Sequence, residues 1–181
     1  MNVLIAYASV HGSTASIAHR IGEVLAEHGE RADVRPMDEL DDGEPQGDVH
    51  THDAFVLGSA VHEMTWLPAA TGFVSRNRDA LARRPVWLFS VGMPAALREP
   101  WRRLAPKEEK DITEPLLRLL DPEGHRLFSG VIRPEHLPHS GRLMFKALGF
   151  RYGDYRDWDD VRRWADEIAR RLATNRHRAV L

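Results

Sequence analysis

The stretch NVLIAYASVHGSTASIA, residues 2–18, decides the fold. Its first seven residues are almost continuously apolar, which is typical of a strand covered on both faces of a sheet. Small hydroxyl residues then surround a single glycine at position 12, and a helical pattern begins at once. No lysine or arginine lies between positions 7 and 16. The loop therefore predicts an anion site in which backbone N–H groups and hydroxyls hold the ligand.

Strand-like and helix-like segments alternate along the rest of the chain. Apolar or alternating runs predict four further strands, at 31–36, 54–60, 86–91 and 125–132. Helical spacing predicts helices at 17–28, 66–77, 112–120 and 158–172, the last with Asp157 as its N-cap. The acidic, glycine-containing segment 38–53 predicts a loop.

This alternation predicts an α/β fold, a doubly wound five-stranded parallel sheet with helices on both faces. The second and fifth strands are the more polar ones and suit the edges, which gives the strand order 2-1-3-4-5. We expect a single domain over residues 1–174, with an inserted segment at 133–156 and a C-terminal tail at 175–181.

Composition excludes several function classes. The chain has 25 basic and 27 acidic side chains, and its net charge of -2 gives no general attraction for nucleic acid. It has no cysteine, which excludes disulfides, thiolate catalysis and cysteine-ligated iron–sulfur clusters. The N-terminal segment does not resemble a leader, and no apolar run reaches the roughly 20 residues of a membrane span. We therefore expect a cytoplasmic protein.

The strand order also predicts where a ligand binds. In a doubly wound sheet, ligands lie at the carboxyl ends of the central strands, so the loops after Ala8, Leu57 and Phe89 are the candidates. The first loop lacks the glycine patterns of dinucleotide and nucleoside-triphosphate sites, but its hydroxyls and single glycine suit a dianionic phosphomonoester. The alternative is that Ser13 and Thr14 only cap the following helix.

The same loop and four later segments resemble a known family. YASVHGSTASIA resembles the phosphate-binding loop of the flavodoxin superfamily: a hydroxyl residue, two variable residues, glycine, one variable residue, then threonine. VLGSAVHEMTWLPAATGFV, VWLFSVGMP, GRLMFKALGF and GDYRDWDDVRRWADEIARRLA extend the resemblance over nearly all of the chain. Within the superfamily, the chain is most similar to the flavodoxin-like, menaquinone-dependent protoporphyrinogen IX dehydrogenases and their relatives.

The resemblance implies FMN as the cofactor. Residues of the first loop would hold its phosphate: Ser9, Val10, His11, Gly12, Ser13 and Thr14. Residues that follow the third strand would line one side of the isoalloxazine: Ser59, Ala60, Val61, His62 and Glu63. Residues that follow the fourth strand would line the other side: Ser90, Val91, Gly92 and Met93. The flavin itself performs the electron transfer, so no catalytic side chain and no metal are assigned.

The flavin loops depart from those of electron-carrying flavodoxins. Those proteins usually place an aromatic ring over the flavin from the loop after the fourth strand, whereas SVGMPAAL contains none. Trp66 is either a stacking group or, as its helical spacing favours, a core residue. His62 either packs on the flavin edge or is a solvated loop residue. His11 stands where threonine is common, and its protonation would add charge beside the phosphate.

The inserted segment 133–156 is longer than a connection between the last strand and the last helix needs. Its apolar side chains between 143 and 150 lie among basic ones. One interpretation is a short helix that closes the sheet edge. The other is a surface for a lipidic quinone, a porphyrin's carboxylates or a membrane, with Arg142, Phe145 and Lys146 as substrate contacts. The comparable insert of the protoporphyrinogen dehydrogenases is longer.

Two function classes remain open. The first is an FMN-dependent oxidoreductase of the protoporphyrinogen dehydrogenase type, which passes electrons from a reduced organic substrate to a quinone and contacts the inner face of the membrane peripherally. The second is a flavodoxin-type electron carrier for protein partners, which the weak net charge and the arginine-rich last helix disfavour. A phosphoacceptor receiver is excluded because VLGSA places no aspartate at the end of the third strand.

Overall fold

The computed structural model describes residues 1–40, 47–93, 119–136, 142–143, 145 and 151–179. The strands are β1 (Asn2–Ala8), β2 (Arg31–Pro36), β3 (Ala54–His62), β4 (Thr65–Trp66), β5 (Val86–Gly92), β6 (Gly124–Ser129), β7 (Val131–Ile132) and β8 (Gly153–Asp154). The helices are α1 (Ser13–Glu27), α2 (Gly47–His50), α3 (Pro68–Arg76), α4 (Arg78–Leu81) and α5 (Trp158–Ala179), with a 3₁₀ turn at Pro134–His136.

Five strands form one parallel sheet in the order β2-β1-β3-β5-β6. Since β5 and β6 are the fourth and fifth strands of this sheet along the chain, the predicted flavodoxin-like order 2-1-3-4-5 is confirmed. The central strands β1, β3 and β5 are largely buried, as their unbroken apolar runs predict. β2 is exposed or half-exposed along its whole length, which suits an edge strand.

Helices cover both faces of this sheet, as the sequence predicts. On one face, α1 and α5 share a core with Val3 and Ile5 of β1. On the other face, α3 and α4 share a core with Leu4 and Ala6 of the same strand. Because successive side chains of a strand point to opposite faces, one apolar run supplies both cores.

A short hairpin separates the third strand from the helix expected at 66–77. β3 continues to His62 and pairs with β4 in antiparallel register, Val61 opposite Trp66. The helix begins two residues later than predicted, with Pro68 at a first-turn position that tolerates its missing N–H. Trp66 is buried, and its Nε1 donates a hydrogen bond to Oγ of Ser90 (2.8 Å), which confirms the interpretation as a core residue.

The predicted last strand breaks at Gly130 into β6 and β7. A Cβ added at Gly130 would lie 3.1 Å from Cγ1 of Val91 and 3.2 Å from Cβ of Ser13, so a larger residue would require both neighbours to shift by a few tenths of an ångström. β7 then pairs with β8 in antiparallel register. Because β8 lies near the end of the inserted segment, this pairing holds that end beside the main sheet.

Other differences concern the predicted loop and the C-terminal tail. The segment 38–53 contains one short helix, α2, where only a loop is expected. The last helix continues to Ala179, so the expected tail is helical from 175 to 179, and Arg176 forms an ion pair with the buried carboxylate of Glu30. Asp157 caps α5 as predicted, because its Oδ1 accepts from the N–H of Asp160 (2.9 Å). Most of the helix expected at 112–120 lies outside the described residues.

Candidate functional site

The loop between β1 and α1 holds the glycine at the centre of the predicted anion site. Gly12 has φ +85°, in the left-handed region, and its N–H donates to Oγ of Ser9 (3.1 Å). Among the described residues, no atom beyond the two chain neighbours lies within 4 Å of a Cβ added at Gly12. The backbone of this loop is therefore open on the side where a side chain would stand, and a ligand atom can approach it closely.

The start of α1 leaves backbone donors available. Its first intrahelical bond joins the N–H of Ser16 to the carbonyl of Gly12 (3.0 Å), and among the described residues no side chain caps the helix. The expectation that Ser13 and Thr14 only cap the helix is therefore wrong. Oγ of Ser13 instead accepts from the N–H of Val131 (3.0 Å), and Thr14 is buried. The first-turn N–H groups and the helix dipole both favour an anion at this end.

His11 is stacked on a second histidine that the sequence analysis missed. Its ring lies parallel to that of His136, with centroids 4.0 Å apart and an angle of 1° between the ring planes. Burial lowers the pKa of His11 below its usual value, and the positive charge of a protonated His136 lowers it further. No sequence signal could have found this pair, since 125 positions separate the two residues.

The second predicted loop is divided between buried and exposed positions. Ser59 is fully buried, and its Oγ accepts from the N–H of Leu67 (3.0 Å) and donates to the carbonyl of Ala60 (2.8 Å). Its hydroxyl therefore positions the start of α3 rather than facing an open site. Ala60 and Val61 are half-buried, whereas the side chains that reach solvent follow at the hairpin, His62 and Glu63.

The third predicted loop also contains both buried and exposed positions. Ser90 is fully buried, and its Oγ accepts from Trp66 and lies 2.9 Å from Nε2 of His125. Val91 is also buried and Gly92 half-buried. Met93 is the exposed member of the predicted set, and the residues that follow it lie outside the described part of the chain.

The three loops leave neighbouring strands at one edge of the sheet. Ala8 pairs with Ser59, which pairs with Ser90, so the loops start at the same level. Five large apolar side chains are exposed among the described residues, and three of them lie on these loops: Val10 (60% exposed), Met64 (43%) and Met93 (46%). The site edge is therefore apolar beside the anion loop, which suits an amphipathic ligand with an anionic end.

Met64, which the sequence analysis did not assign, stands in a strained turn. The two residues that connect β3 to β4 are Glu63 and Met64, and both have positive φ, 50° and 62°. Glycine and asparagine are the residues that favour such turns, so this conformation costs about 1 kcal/mol or more per residue. The hairpin holds Met64 exposed at the edge of the candidate site.

The predicted substrate residues do not share one environment. Phe145 is 5% exposed, and it stacks on Tyr152 (centroids 4.8 Å apart) and packs against Ile132. Its ring therefore fills a small core under the inserted segment, which disfavours the predicted role of Phe145 as a substrate contact. Arg142 is half-buried, and Lys146 lies outside the described residues.

Neither a metal centre nor a membrane span is found among the described residues. In that part of the chain, no group of three or more histidine, aspartate or glutamate side chains is arranged to hold a metal ion. No described helix is both long and apolar enough to cross a membrane.

Comparisons with known proteins agree with the fold. The family model of the flavodoxin domain matches residues 4–157. The protoporphyrinogen IX dehydrogenase [quinone] of Escherichia coli strain K12 is 26% identical over an alignment of 179 positions, which covers 93% of this chain and 95% of that protein.

Solved structures show the same fold at low identity. Rubredoxin oxygen:oxidoreductase from Desulfovibrio gigas superposes with a TM-score of 0.61 and 14% identity, covering 96% of this chain and 36% of that one. The flavodoxin of Streptococcus pneumoniae TIGR4 superposes with a TM-score of 0.56 and 12% identity, covering 97% and 99% of the two chains. With a matching family model over most of its length, the chain belongs to the flavodoxin domain family.

Proposed function

We propose that this chain binds FMN at the carboxyl edge of its sheet and acts as an oxidoreductase. The observation that supports FMN most directly is the loop at Gly12, which is open to close approach at the uncapped start of a 15-residue helix. A dianionic phosphomonoester suits this loop, since backbone N–H groups and the helix dipole favour negative charge there. The exposed apolar side chains of Val10, Met64 and Met93 would cover the apolar rings of the flavin.

FMN supplies the electron-transfer chemistry when bound, and the chain's residues position it. The backbone of residues 9–14 would bind the phosphate and fix the register of the ligand. Ser59 and Ser90 act through the fold, because their buried hydroxyls hold β4 and the start of α3 in place. That network fixes the hairpin that presents His62, Glu63 and Met64 beside the ligand.

For the reaction, we propose the transfer of electrons from a reduced organic substrate of the protoporphyrinogen type to a quinone. The support is the similarity to protoporphyrinogen IX dehydrogenase [quinone] over nearly the full length of both chains. A peripheral contact with the inner face of the membrane belongs to the same proposal, supported by Leu143, which is 74% exposed next to Arg142. The partners are then small molecules, the reduced substrate and the quinone, and the location is the cytoplasmic side.

The cofactor proposal is tested by titrating the protein with FMN and, separately, with riboflavin, following flavin fluorescence. The phosphate should form at least two charge-assisted hydrogen bonds of about 1.5–3 kcal/mol each. FMN should therefore bind about a hundredfold more tightly than riboflavin, or better. Equal affinity for the two flavins would remove the proposed phosphate site.

The reaction proposal is tested separately with FMN-loaded protein. Quinone reduction by protoporphyrinogen IX should proceed faster than without protein, and in the presence of liposomes of anionic lipid part of the protein should cosediment. Replacing Leu143 with glutamine should reduce cosedimentation without changing FMN affinity. A protein that binds FMN but leaves the porphyrinogen unoxidised would favour the electron-carrier function.

A further inference from the structure

A residue from a distant part of the chain, His136, lies at the proposed phosphate loop. β7 lies against the start of α1, because the N–H of Val131 donates to Oγ of Ser13 (3.0 Å). The 3₁₀ turn that follows β7 then brings His136 onto the ring of His11, with centroids 4.0 Å apart and planes parallel. His11 belongs to the loop in which the FMN phosphate is proposed to bind, so both imidazoles stand at that loop.

Among the described residues, one ring nitrogen of His136 has no hydrogen-bond partner and is left for a ligand. The backbone N–H of Arg133 donates to Nδ1 of His136 (3.4 Å), which favours the tautomer with the proton on Nε2. In this tautomer Nε2–H is a donor. The residue is half-buried at the protein surface, so a ligand at the loop can approach it.

The loop has no other cationic side chain of its own. No lysine or arginine lies between positions 7 and 16, and the first turn of α1 contains no acidic residue. A dianion there would meet backbone donors and the two histidines. Parallel imidazoles at this distance repel each other when both carry a proton, but a bound dianion attracts a proton to the pair.

We infer that His136 is a second phosphate-contacting residue, and that the stacked His11–His136 pair takes up one proton from solvent when a phosphomonoester binds. The inference rests on the proposed FMN function, and it assigns to the inserted segment a part of the cofactor site. His136 would donate a hydrogen bond to the phosphate from Nε2, while its Nδ1 keeps accepting from the N–H of Arg133. The proton taken up from solvent would therefore go to His11.

In the described part of the chain, the charged groups on the turn and at β8 form ion pairs. On the turn itself, Arg133 and Glu135 face each other at 3.9 Å, and both are about two-thirds exposed. On β8, which pairs with β7, Asp154 forms an ion pair with Arg156 (2.5 Å), and Arg156 also donates to Oγ of Ser16 on α1 (2.9 Å). Each of these charged side chains thus has an oppositely charged neighbour. A bound phosphate would add a new negative charge beside the His11–His136 pair.

The pH dependence has a definite sign. In the free protein the pKa of His11 lies below its usual 6.5, and a bound dianion would raise it. FMN affinity should therefore be highest below the free-state pKa of His11 and fall as pH rises through its raised value in the complex. Because a phosphomonoester itself takes up a proton near pH 6, the useful window lies between about pH 6.5 and pH 8.5.

The test compares FMN affinity and proton uptake in the full-length chain. Calorimetric titrations with FMN in two buffers of different ionisation enthalpy measure the protons taken up. The wild-type protein should show net uptake and should bind FMN more tightly at pH 6.5 than at pH 8.5. His136→Phe keeps an aromatic ring for stacking but has no donor, and it should lose about tenfold in FMN affinity at pH 6.5. Its riboflavin affinity should not change.

Two more variants separate this role from a general effect of losing a histidine. His11→Gln should abolish the proton uptake. His19→Gln removes an exposed histidine from α1, the helix that follows the phosphate loop, and this variant should bind FMN and take up protons as the wild-type protein does. If His136→Phe binds FMN like the wild-type protein and takes up the same protons, the inference is overturned, whereas a retained preference for FMN over riboflavin would leave the proposed cofactor standing.

A measurement on the wild-type protein decides the question even if a variant fails to fold. Inorganic phosphate should move the NMR titration midpoint of the His11 imidazole to higher pH. An unmoved midpoint at saturating phosphate would contradict the inference. Wild-type protein that binds FMN no better than riboflavin would instead refute the proposed function on which the inference rests.

Discussion

Replacing Gly12 with alanine tests the phosphate loop most directly, because Gly29 offers a matched control on the same helix. Gly12 precedes the first residue of α1 with φ +85°, and Gly29 follows its last turn with φ +80°. In the described part of the chain, no atom beyond the chain neighbours lies within 4 Å of a Cβ added at either position. The two substitutions therefore impose the same kind of backbone strain, and only one of them lies in the proposed site.

The expected loss of stability follows from the backbone alone. An L-residue in the left-handed region costs about 1–2 kcal/mol, so both Gly12→Ala and Gly29→Ala should lower the free energy of unfolding by about that amount. For a chain of this size, Tm should fall by about 2–8 °C in each variant. Urea unfolding without flavin measures both values.

The expected loss of FMN binding differs between the two variants. The methyl group at Gly12 would occupy the open space that the phosphate needs. Losing two charge-assisted hydrogen bonds, about 1.5–3 kcal/mol each, should weaken FMN binding about a hundredfold or more. Gly29→Ala should bind FMN as the wild-type protein does, measured by quenching of flavin fluorescence. Equal FMN affinity in both variants would refute the assignment of the phosphate to this loop.

Three further substitutions test the packing around the site. Phe145→Ser should lower the free energy of unfolding by about 3 kcal/mol or more, because it empties a buried ring position; urea unfolding measures the loss. Trp66→Phe should cost about 1 kcal/mol, since Ser90 loses its indole donor; the same assay applies, and an unchanged midpoint would contradict that bond's role. Burial alone would raise the pKa of Asp160, but its hydrogen bonds and ion pairs with Arg126 and Arg163 hold that pKa below the usual value. The stability that the ionised carboxylate contributes is therefore present above about pH 4 and is lost as pH falls. Asp160→Asn should therefore be less stable than the wild-type protein at pH 7, and the difference should vanish in unfolding curves near pH 2.

The sheet could be predicted because each of its central strands is an apolar run bounded by turn residues. β1 and β2 have the predicted bounds, and the two later strands differ from prediction by only a few residues. The hairpin at Glu63 and Met64 could not be predicted in the same way. Its two turn residues are not types that favour positive φ, and Trp66 fits the helical spacing equally well. Only the pairing of Val61 with Trp66 shows that the strand turns back.

The candidate site could be predicted as far as the backbone determines it. The positions of the three loops follow from strand order, and Gly12 follows from the loop's composition. The sequence could not show that the hydroxyls of Ser59 and Ser90 turn inward, because that depends on the indole of Trp66 and the N–H of Leu67. A serine at the end of a buried strand has the same sequence signature in either orientation.

The described part of the inserted segment forms contacts that its interpretation as a substrate surface does not predict. Its apolar and basic residues suggest a surface for an amphipathic substrate, yet Phe145 is enclosed between Ile132 and Tyr152. Two of the described contacts that the segment makes outside itself reach α1 and the loop before it: Arg156 donates to Ser16, and the ring of His136 covers that of His11. A loop that must hold an anion without lysine or arginine needs its geometry fixed by neighbours, since misplaced N–H groups lose their strength as donors. The small core around Phe145 supports that geometry, and its loss should therefore reduce FMN affinity together with stability.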